Sequence, residues 1–231
     1  MKRLLLLPLL ALLLGACEKD PEPRSLAGDP GTAKYRIIFR ATWSAATHPQ
    51  AYPAGAHFSR LIGAAHGTAM DGAEVLFRPD HLASPGLKDM AERGNNTILR
   101  TELLAHQGAG LPVREIFENN LAYIDSPGQF VDTVQVDGQH PLVSAVTMIA
   151  PSPDWFVALH EQSLLDERGQ WLPALTVVAR AYDAGTDSGP DFDSPDQPTT
   201  PARPVAPIVG APLAPGGTST PLGTFYLERI Q

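Results

Sequence analysis

From Lys34 onward the chain alternates. Tyr35, Ile37 and Phe39 interleave with Arg36, Ile38 and Arg40, the two-residue period of a half-buried strand, and the pattern runs on to Trp43. Phe130 to Val136 is irregular, but its β-branched content favours a strand. Leu142 to Ile149 places Val143, Ala145, Thr147 and Ile149 on one face and Ser144, Val146 and Met148 on the other. Both faces carry apolar groups, which predicts a central strand. Trp155 to Leu165 and Trp171 to Tyr182 read as an antiparallel pair joined through Asp166, Glu167, Arg168 and Gly169, and Leu222 to Ile230 closes the domain as a last strand.

The helical period is found once. Ser84 is placed to cap, Pro85 stands at the first helical position, Leu87, Met90 and Ala91 form an apolar stripe, and Gly94 ends the segment behind Arg93. Asn95 to His106 fits a helix or a strand. His48 to Ser59 is punctuated by Pro49, Pro53 and Gly55 and reads as a long ordered loop pinned by its aromatics. Met70 to Phe77 is a short apolar stretch with a turn at Gly72. Pro190 to Pro221, rich in Pro, Thr, Ala and Gly, reads as a surface excursion.

The N-terminus follows a different rule. Lys2 and Arg3 precede an apolar run from Leu4 to Leu14, and Leu14-Gly15-Ala16 precedes the only cysteine, Cys17. This resembles the lipobox of bacterial lipoproteins, in which the leader (1–16) is removed and the cysteine is diacylated to become the new N-terminus. The resemblance implies a membrane anchor on Cys17, a flexible tether over residues 17–33 and a domain over 34–231. Glu18 after the cysteine favours the outer membrane over the inner one.

Charge narrows the partners. The 231-residue sequence has a formal net charge of −8, and losing Lys2 and Arg3 with the leader makes it more negative still, which argues against nucleic acid. With Cys17 acylated no disulfide can form, so stability falls to core packing and to any bound metal.

Two acidic turns are the candidate chemistry. Pairing Trp155–Leu165 with Trp171–Tyr182 brings Asp154 close to Asp183. Between Ala181 and Ala202 stand Asp183, Asp187, Asp191, Asp193 and Asp196 with no Lys or Arg. Calcium, which takes six to eight oxygen ligands, would relieve their repulsion; the other reading is a solvated loop of Asx-turns. His48, His57 and His66 recur at equal spacing, but that spacing turns a helix by about half a revolution and flips a strand to its other face, so structural histidines are expected rather than zinc ligands.

The order of short signatures resembles the spondin domain, the N-terminal module of a family of animal matrix proteins. The residues carrying the resemblance are Trp43, His48-Pro49, Tyr52-Pro53 and Ala56-His57-Phe58-Ser59, with Gly63, His66, Ala83-Ser84, Gly86-Leu87-Lys88 and Ala91-Glu92. They continue with His140-Pro141-Leu142-Val143-Ser144, Pro151-Ser152-Pro153-Asp154-Trp155-Phe156 and Asp183-Ala184-Gly185-Thr186-Asp187-Ser188-Gly189. The resemblance covers Ala33 to Ile230. It implies an all-β fold, an antiparallel β-sandwich with one short helix and long loops, and a role in extracellular adhesion with bound calcium. Carried over by position, the ligands fall on Asp154, Asp183 and Gln135; Asp187, in the same turn as Asp183, is expected either to compensate as a further ligand or to support the ligands from behind.

The expected function is therefore a membrane-anchored, extracytoplasmic calcium-binding lipoprotein that is not an enzyme and acts as an adhesion module for an unknown protein or glycan ligand. The alternatives are a cell-envelope hydrolase in which Asp154 and Asp183 act as paired acids on a glycan, and a purely structural envelope lipoprotein. No G-x-S-x-G elbow, cysteine nucleophile or metalloprotease signature supports the hydrolase.

Overall fold

The computed structural model describes residues 30–68, 75–108, 112–217 and 219–231. The leader, Cys17, most of the expected tether and the Gly72 turn lie outside these residues.

The first strand, β1, spans Thr32–Ala41 and starts earlier than its apolar alternation. Thr32 and Ala33, expected to end the tether, instead stand opposite Asp137 and Val136. Tyr35, Ile37, Phe39, Ala41 and Trp43 all point inward, as their two-residue spacing requires. Four short elements follow: β2 (His57–Ser59), β3 (Ile62–His66), α1 (Pro85–Arg93) and α2 (Thr97–Gly108). The remaining strands are β4 (Val113–Glu118), β5 (Tyr123–Asp125), β6 (Gly128–Asp137), β7 (Leu142–Ala150), β8 (Trp155–Ser163), β9 (Ala174–Val178), β10 (Arg180–Asp183), β11 (Ala206–Pro207) and β12 (Gly223–Arg229).

One sheet runs β6-β1-β12-β9. The other runs β11-β10-β8-β7-β2-β5, with β3 paired to both β7 and β4, and every pairing is antiparallel. The protein is thus the expected all-β sandwich. The sheets enclose a core containing Phe39, Trp43, Phe58, Phe130, Val143, Ile149, Trp155 and Phe225. Each such aromatic side chain contributes about 1.5–3 kcal/mol by leaving water.

The larger sheet carries a second core on its outer face, where Leu87 and Met90 of α1 and Leu99 and Leu103 of α2 cover Val146, Met148, Phe156 and Tyr182. This explains the two apolar faces of β7: Val143, Ala145 and Ile149 face the other sheet, while Val146 and Met148 face the helices. It also corrects the expectation of a single helix. α2 resolves the ambiguous segment after Asn95 as a helix packed on α1.

The helix α1 begins and ends as its sequence indicates. The Ser84 hydroxyl accepts the Leu87 N–H at 3.0 Å, and Gly94 adopts φ +65° at the C-terminus.

The expected hairpin is only half correct. Trp171 to Tyr182 is two strands in different sheets: β9 pairs with β12, the chain crosses at Ala179, and β10 alone pairs with β8. The turn between the segments is as expected, closed by Asp166 and Gln170 and by a Leu165–Trp171 bridge. The stretch from Pro190 to Pro221 is more than a surface excursion, since Phe192, Val205, Leu213 and Ala214 are buried. It also supplies β11, the two-residue edge of the larger sheet, where Pro207 is exposed; Pro198, Pro201 and Pro204, in the strap that leads to it, are exposed as well. Among the described residues no helix is long and apolar enough to cross a membrane.

Candidate metal centre

The β8–β10 register sets Trp155 opposite Asp183, so the turn after β7 and the turn after β10 leave the sheet side by side. Asp154 ends the first turn. Its side chain is completely buried, and its Oδ2 accepts three hydrogen bonds from the second turn: the Thr186 N–H at 2.7 Å, the Asp187 N–H at 3.0 Å and the Thr186 hydroxyl at 3.3 Å. The other oxygen, Oδ1, is buried and has no hydrogen-bond partner. A buried acceptor left in that state costs about 1–3 kcal/mol, and more when charged.

The second turn is built to deliver those donors. Gly185 has φ +75°, and a Cβ there would stand 2.0 Å from the Arg203 carbonyl oxygen, so only glycine fits. Asp183 Oδ1 accepts the Gly185 N–H at 2.7 Å. Asp187, also buried, accepts the Gly189 N–H on Oδ1 at 2.7 Å and the Gln197 N–H on Oδ2 at 2.9 Å. Residues 197–203 strap the turn through Ser188 N–H to Gln197 O, Thr199 N–H to Thr186 O and Arg203 N–H to Gly185 O. Phe192 inserts below, edge-on to Trp155 and tilted against Trp43.

The electrostatics follow from this burial. Loss of water and then the neighbouring Asp183 push the Asp154 carboxyl up to about 6, against the pull of the donors from Thr186 and Asp187. Asp183 is raised as well, chiefly by burial, with Gly185, Arg203 and Trp155 opposing and Asp187 adding to the rise. Arg203, which sequence spacing gave no reason to associate with Asp183, comes close because the strap returns to the turn. Beside the carboxylates lies an open depression of about 400 Å³, lined by Trp155, Asp183, Asp187 and Ser188 and closed by the strap from Arg203 onward.

Among the described residues no three His, Cys, Asp or Glu side chains form a ready-made metal cage. The donor chemistry nonetheless suits a hard cation. One fully buried carboxylate oxygen has no partner, a second carboxylate lies close enough to raise its pKa, and a third holds the same turn.

Gln135 is not brought to this place. It is exposed on β6, and its N–H donates to Glu115 Oε2 on β4. Glu115 and Val143 both stand opposite Ala65, so Gln135 lies level with the start of β7, whereas Asp154 follows its end, about 23 Å away at 3.3 Å per residue. The carry-over is corrected in that respect: Gln135 belongs to the opposite end of the sandwich. Asp191, Asp193 and Asp196 are exposed, and Asp191 accepts the Phe192 N–H in a local turn. The three histidines are spent separately: His48 on the Thr220 carbonyl, His57 on that of Gly55, and His66 on Gly67 and Ser144.

A β-sandwich whose two acidic turns close over the fully buried Asp154 carboxylate is the class of module this fold and site define. The chain belongs to the Spondin_N family, whose model matches residues 33–228. It is 34% identical to Spondin-2 of Homo sapiens over 226 residues, covering 96% of this chain and 65% of that protein. It is 32% identical to Spondin-1 of Mus musculus over 231 residues, covering 93% of this chain and 28% of that protein. The chain spans less than two thirds of the length of these curated relatives.

Proposed function

We propose that the protein is a calcium-stabilised, extracytoplasmic adhesion module held to the membrane through lipid on Cys17. The observation that carries the calcium reading is the partnerless Oδ1 of Asp154, a buried anionic oxygen beside a second carboxylate. Asp154, Asp183 and Asp187 would hold the ion, with water or backbone carbonyls completing its oxygen shell. Bound there, calcium neutralises the clustered charge and ties the turn after β7 to the turn after β10. The residues themselves hold the turns in register: Asp154 anchors the Thr186 and Asp187 amides, and Asp187 anchors the strap.

The spondin membership supports an extracellular interaction role, and the lipobox-like leader supports the anchor. A glycosidase reading is disfavoured by position, because Asp154 is fully buried with one oxygen committed to three donors, where a scissile bond does not reach.

Calcium at a hundredfold excess over its Kd should raise stability by about 2.7 kcal/mol. Equal melting temperatures in chelator and in excess calcium would remove the metal from the proposal. Cys17→Ala should abolish palmitate incorporation and release the protein from membranes; continued labelling would refute the anchor.

A further inference from the structure

The edges of the two sheets are finished in different ways. β5 and β11, at the ends of the larger sheet, are three and two residues long, and β4 carries Arg114, Glu115 and Glu118 along its length. β6, at one edge of the smaller sheet, spends its outward backbone groups on side chains. The Val131 carbonyl accepts the Asn119 amide, the Thr133 N–H donates to Asp132 Oδ1 and the Gln135 N–H to Glu115 Oε2, each at 2.8 Å. A strand approaching there finds these groups taken.

β9, at the opposite edge, is left open. Ala174-Leu175-Thr176-Val177-Val178 has no charge, proline or glycine, and its β-branched residues suit a ladder. It pairs only with β12. The Arg229 N–H donates to the Pro173 carbonyl and the Ala179 N–H to the Gly223 carbonyl, so the odd-numbered residues from Pro173 to Ala179 turn their backbone groups toward β12. The N–H and C=O groups of Ala174, Thr176 and Val178 therefore point outward. All three residues are exposed, and none of these groups has a hydrogen-bond partner among the described residues.

We propose that β9 is a docking edge for a second copy of this chain, joining two smaller sheets into one continuous sheet about a two-fold axis at Thr176. Thr176 exchanges both backbone bonds with Thr176 of the second copy, and Ala174 exchanges both with the second copy's Val178, so every outward donor meets an outward acceptor. The side chains agree with that register. Leu175 and Val177, partly buried against the core, stand beside the second copy's Val177 and Leu175 and complete their cover, while no like charges meet. The pair closes, because both copies use the same edge and the far edge at β6 is blocked.

The chain's own N-terminal stretch does not suit this edge. The Pro30 carbonyl accepts the Trp171 indole N–H at 3.0 Å, close to the start of β9, but the residues before it include Pro21 and Pro23 among Glu18, Lys19, Asp20, Glu22 and Arg24. Such a sequence lacks the donors and the apolar alternation of a strand. One five-residue pairing buries less than the roughly 1,200 Å² of a standard interface, so the dimer is weak and reversible. Copies held on one membrane by the proposed anchor would meet at raised effective concentration. The pairing itself needs neither lipid nor calcium.

Sedimentation equilibrium of the full chain carrying Cys17→Ala, in chelator, tests it. A reversible monomer–dimer equilibrium is expected. Thr176→Lys, which sets two ammonium groups opposite each other at the axis, should weaken it by about tenfold or more, a change of about 1.4 kcal/mol per tenfold. Thr176 is exposed, so this variant should melt as the parent does. In the same background Thr176→Cys supplies the sole thiol, since Cys17 is the only cysteine in the sequence. Residues in a hydrogen-bonded antiparallel pair have Cα atoms about 5.5 Å apart, within the span a disulfide bridges, so oxidation should give a covalent dimer. Gln135→Cys, on the β6 edge, should stay monomeric.

A chain monomeric at every concentration, association that Thr176→Lys leaves unchanged, assembly beyond dimers, no cross-link at Thr176→Cys, or an equal one at Gln135→Cys would each overturn the assignment. A failed calcium or palmitate test would count against the cation site or the anchor and leave this edge untouched.

Discussion

The two ends of β7 present opposite solutions to a half-hidden carboxylate. At its start, Asp137 is matched from within the protein: Arg114 pairs with it, the His140 ring lies 2.7 Å from Oδ1, and the amides of Gln139 and His140 donate to the same oxygen. Burial acts to raise its carboxyl, but the His140 and backbone interactions outweigh that and hold it below the ordinary range. At the far end of the strand, Asp154 has amide and hydroxyl donors on one oxygen only, no described cationic side chain within ion-pair distance, and a second carboxylate nearby; its carboxyl is pushed up. One end carries its counter-charge in the chain. The other has no counter-charge among the described side chains, and under the proposed function a cation from solution would supply it.

The comparison is broken most severely by Asp154→Asn. The amide oxygen can keep the three donors on the Oδ2 side while its NH₂ occupies the partnerless position facing Asp183. The variant should lose the whole calcium-dependent stabilisation, about 2.7 kcal/mol at a hundredfold excess over Kd, and without calcium should be at least as stable as the parent at neutral pH.

The sign of the pH dependence follows. A carboxyl raised in the folded state favours folding while it is protonated, and that advantage is lost as pH climbs from about 4 through 6. In chelator, the melting temperature of the parent relative to Asp154→Asn should therefore fall across that range, and calcium should reverse the fall. A flat difference across the range would show that Asp154 has an ordinary carboxyl.

Asp137→Asn tests the other end. It should cost about 1 kcal/mol at neutral pH, equally with and without calcium, because the partners it leaves are in the protein. The contribution of Asp137 is present above the ordinary aspartate range and lost as pH falls through its depressed folded value, opposite in sign to Asp154. A calcium-dependent loss in chemical denaturation would contradict the separation of the two ends. The smallest effect belongs to Gln135→Ala: on exposed backbone far from Asp154, it should shift stability by less than about 0.5 kcal/mol and leave the calcium response unchanged.

Much of the architecture was legible where periodicity is local. Tyr35 to Phe39 declared a one-sided strand, the doubly apolar Leu142–Ile149 declared a central one, and Ser84 to Gly94 carried both ends of its helix. Short strands were not legible. Ile62-Gly63-Ala64-Ala65-His66 shows no alternation because all five positions are buried, and Gly63 is glycine because Phe117 and the Ser144 carbonyl leave no room for a Cβ. The crossing at Ala179 was hidden because apolar residues continue through it while the chain changes sheets.

The site divides in the same way. Asp154, Asp183 and Asp187 could be named from their turns, since Gly185 and Gly189 punctuate them. Gln135 was misplaced because position along a family pattern carries no information about which end of a strand faces which turn. Arg203 was missed because its place beside Asp183 arises from tertiary approach, through the strap that returns to the turn.

The proline-bearing strap has a consequence beyond holding the acidic turn. β11 is only two residues long and ends the larger sheet, and its second residue, Pro207, is exposed. Proline has no N–H, so a neighbouring molecule that tried to extend the sheet at this short edge would find no donor at Pro207. The border that secures the two acidic turns therefore also resists edge-to-edge aggregation on its own side of the molecule.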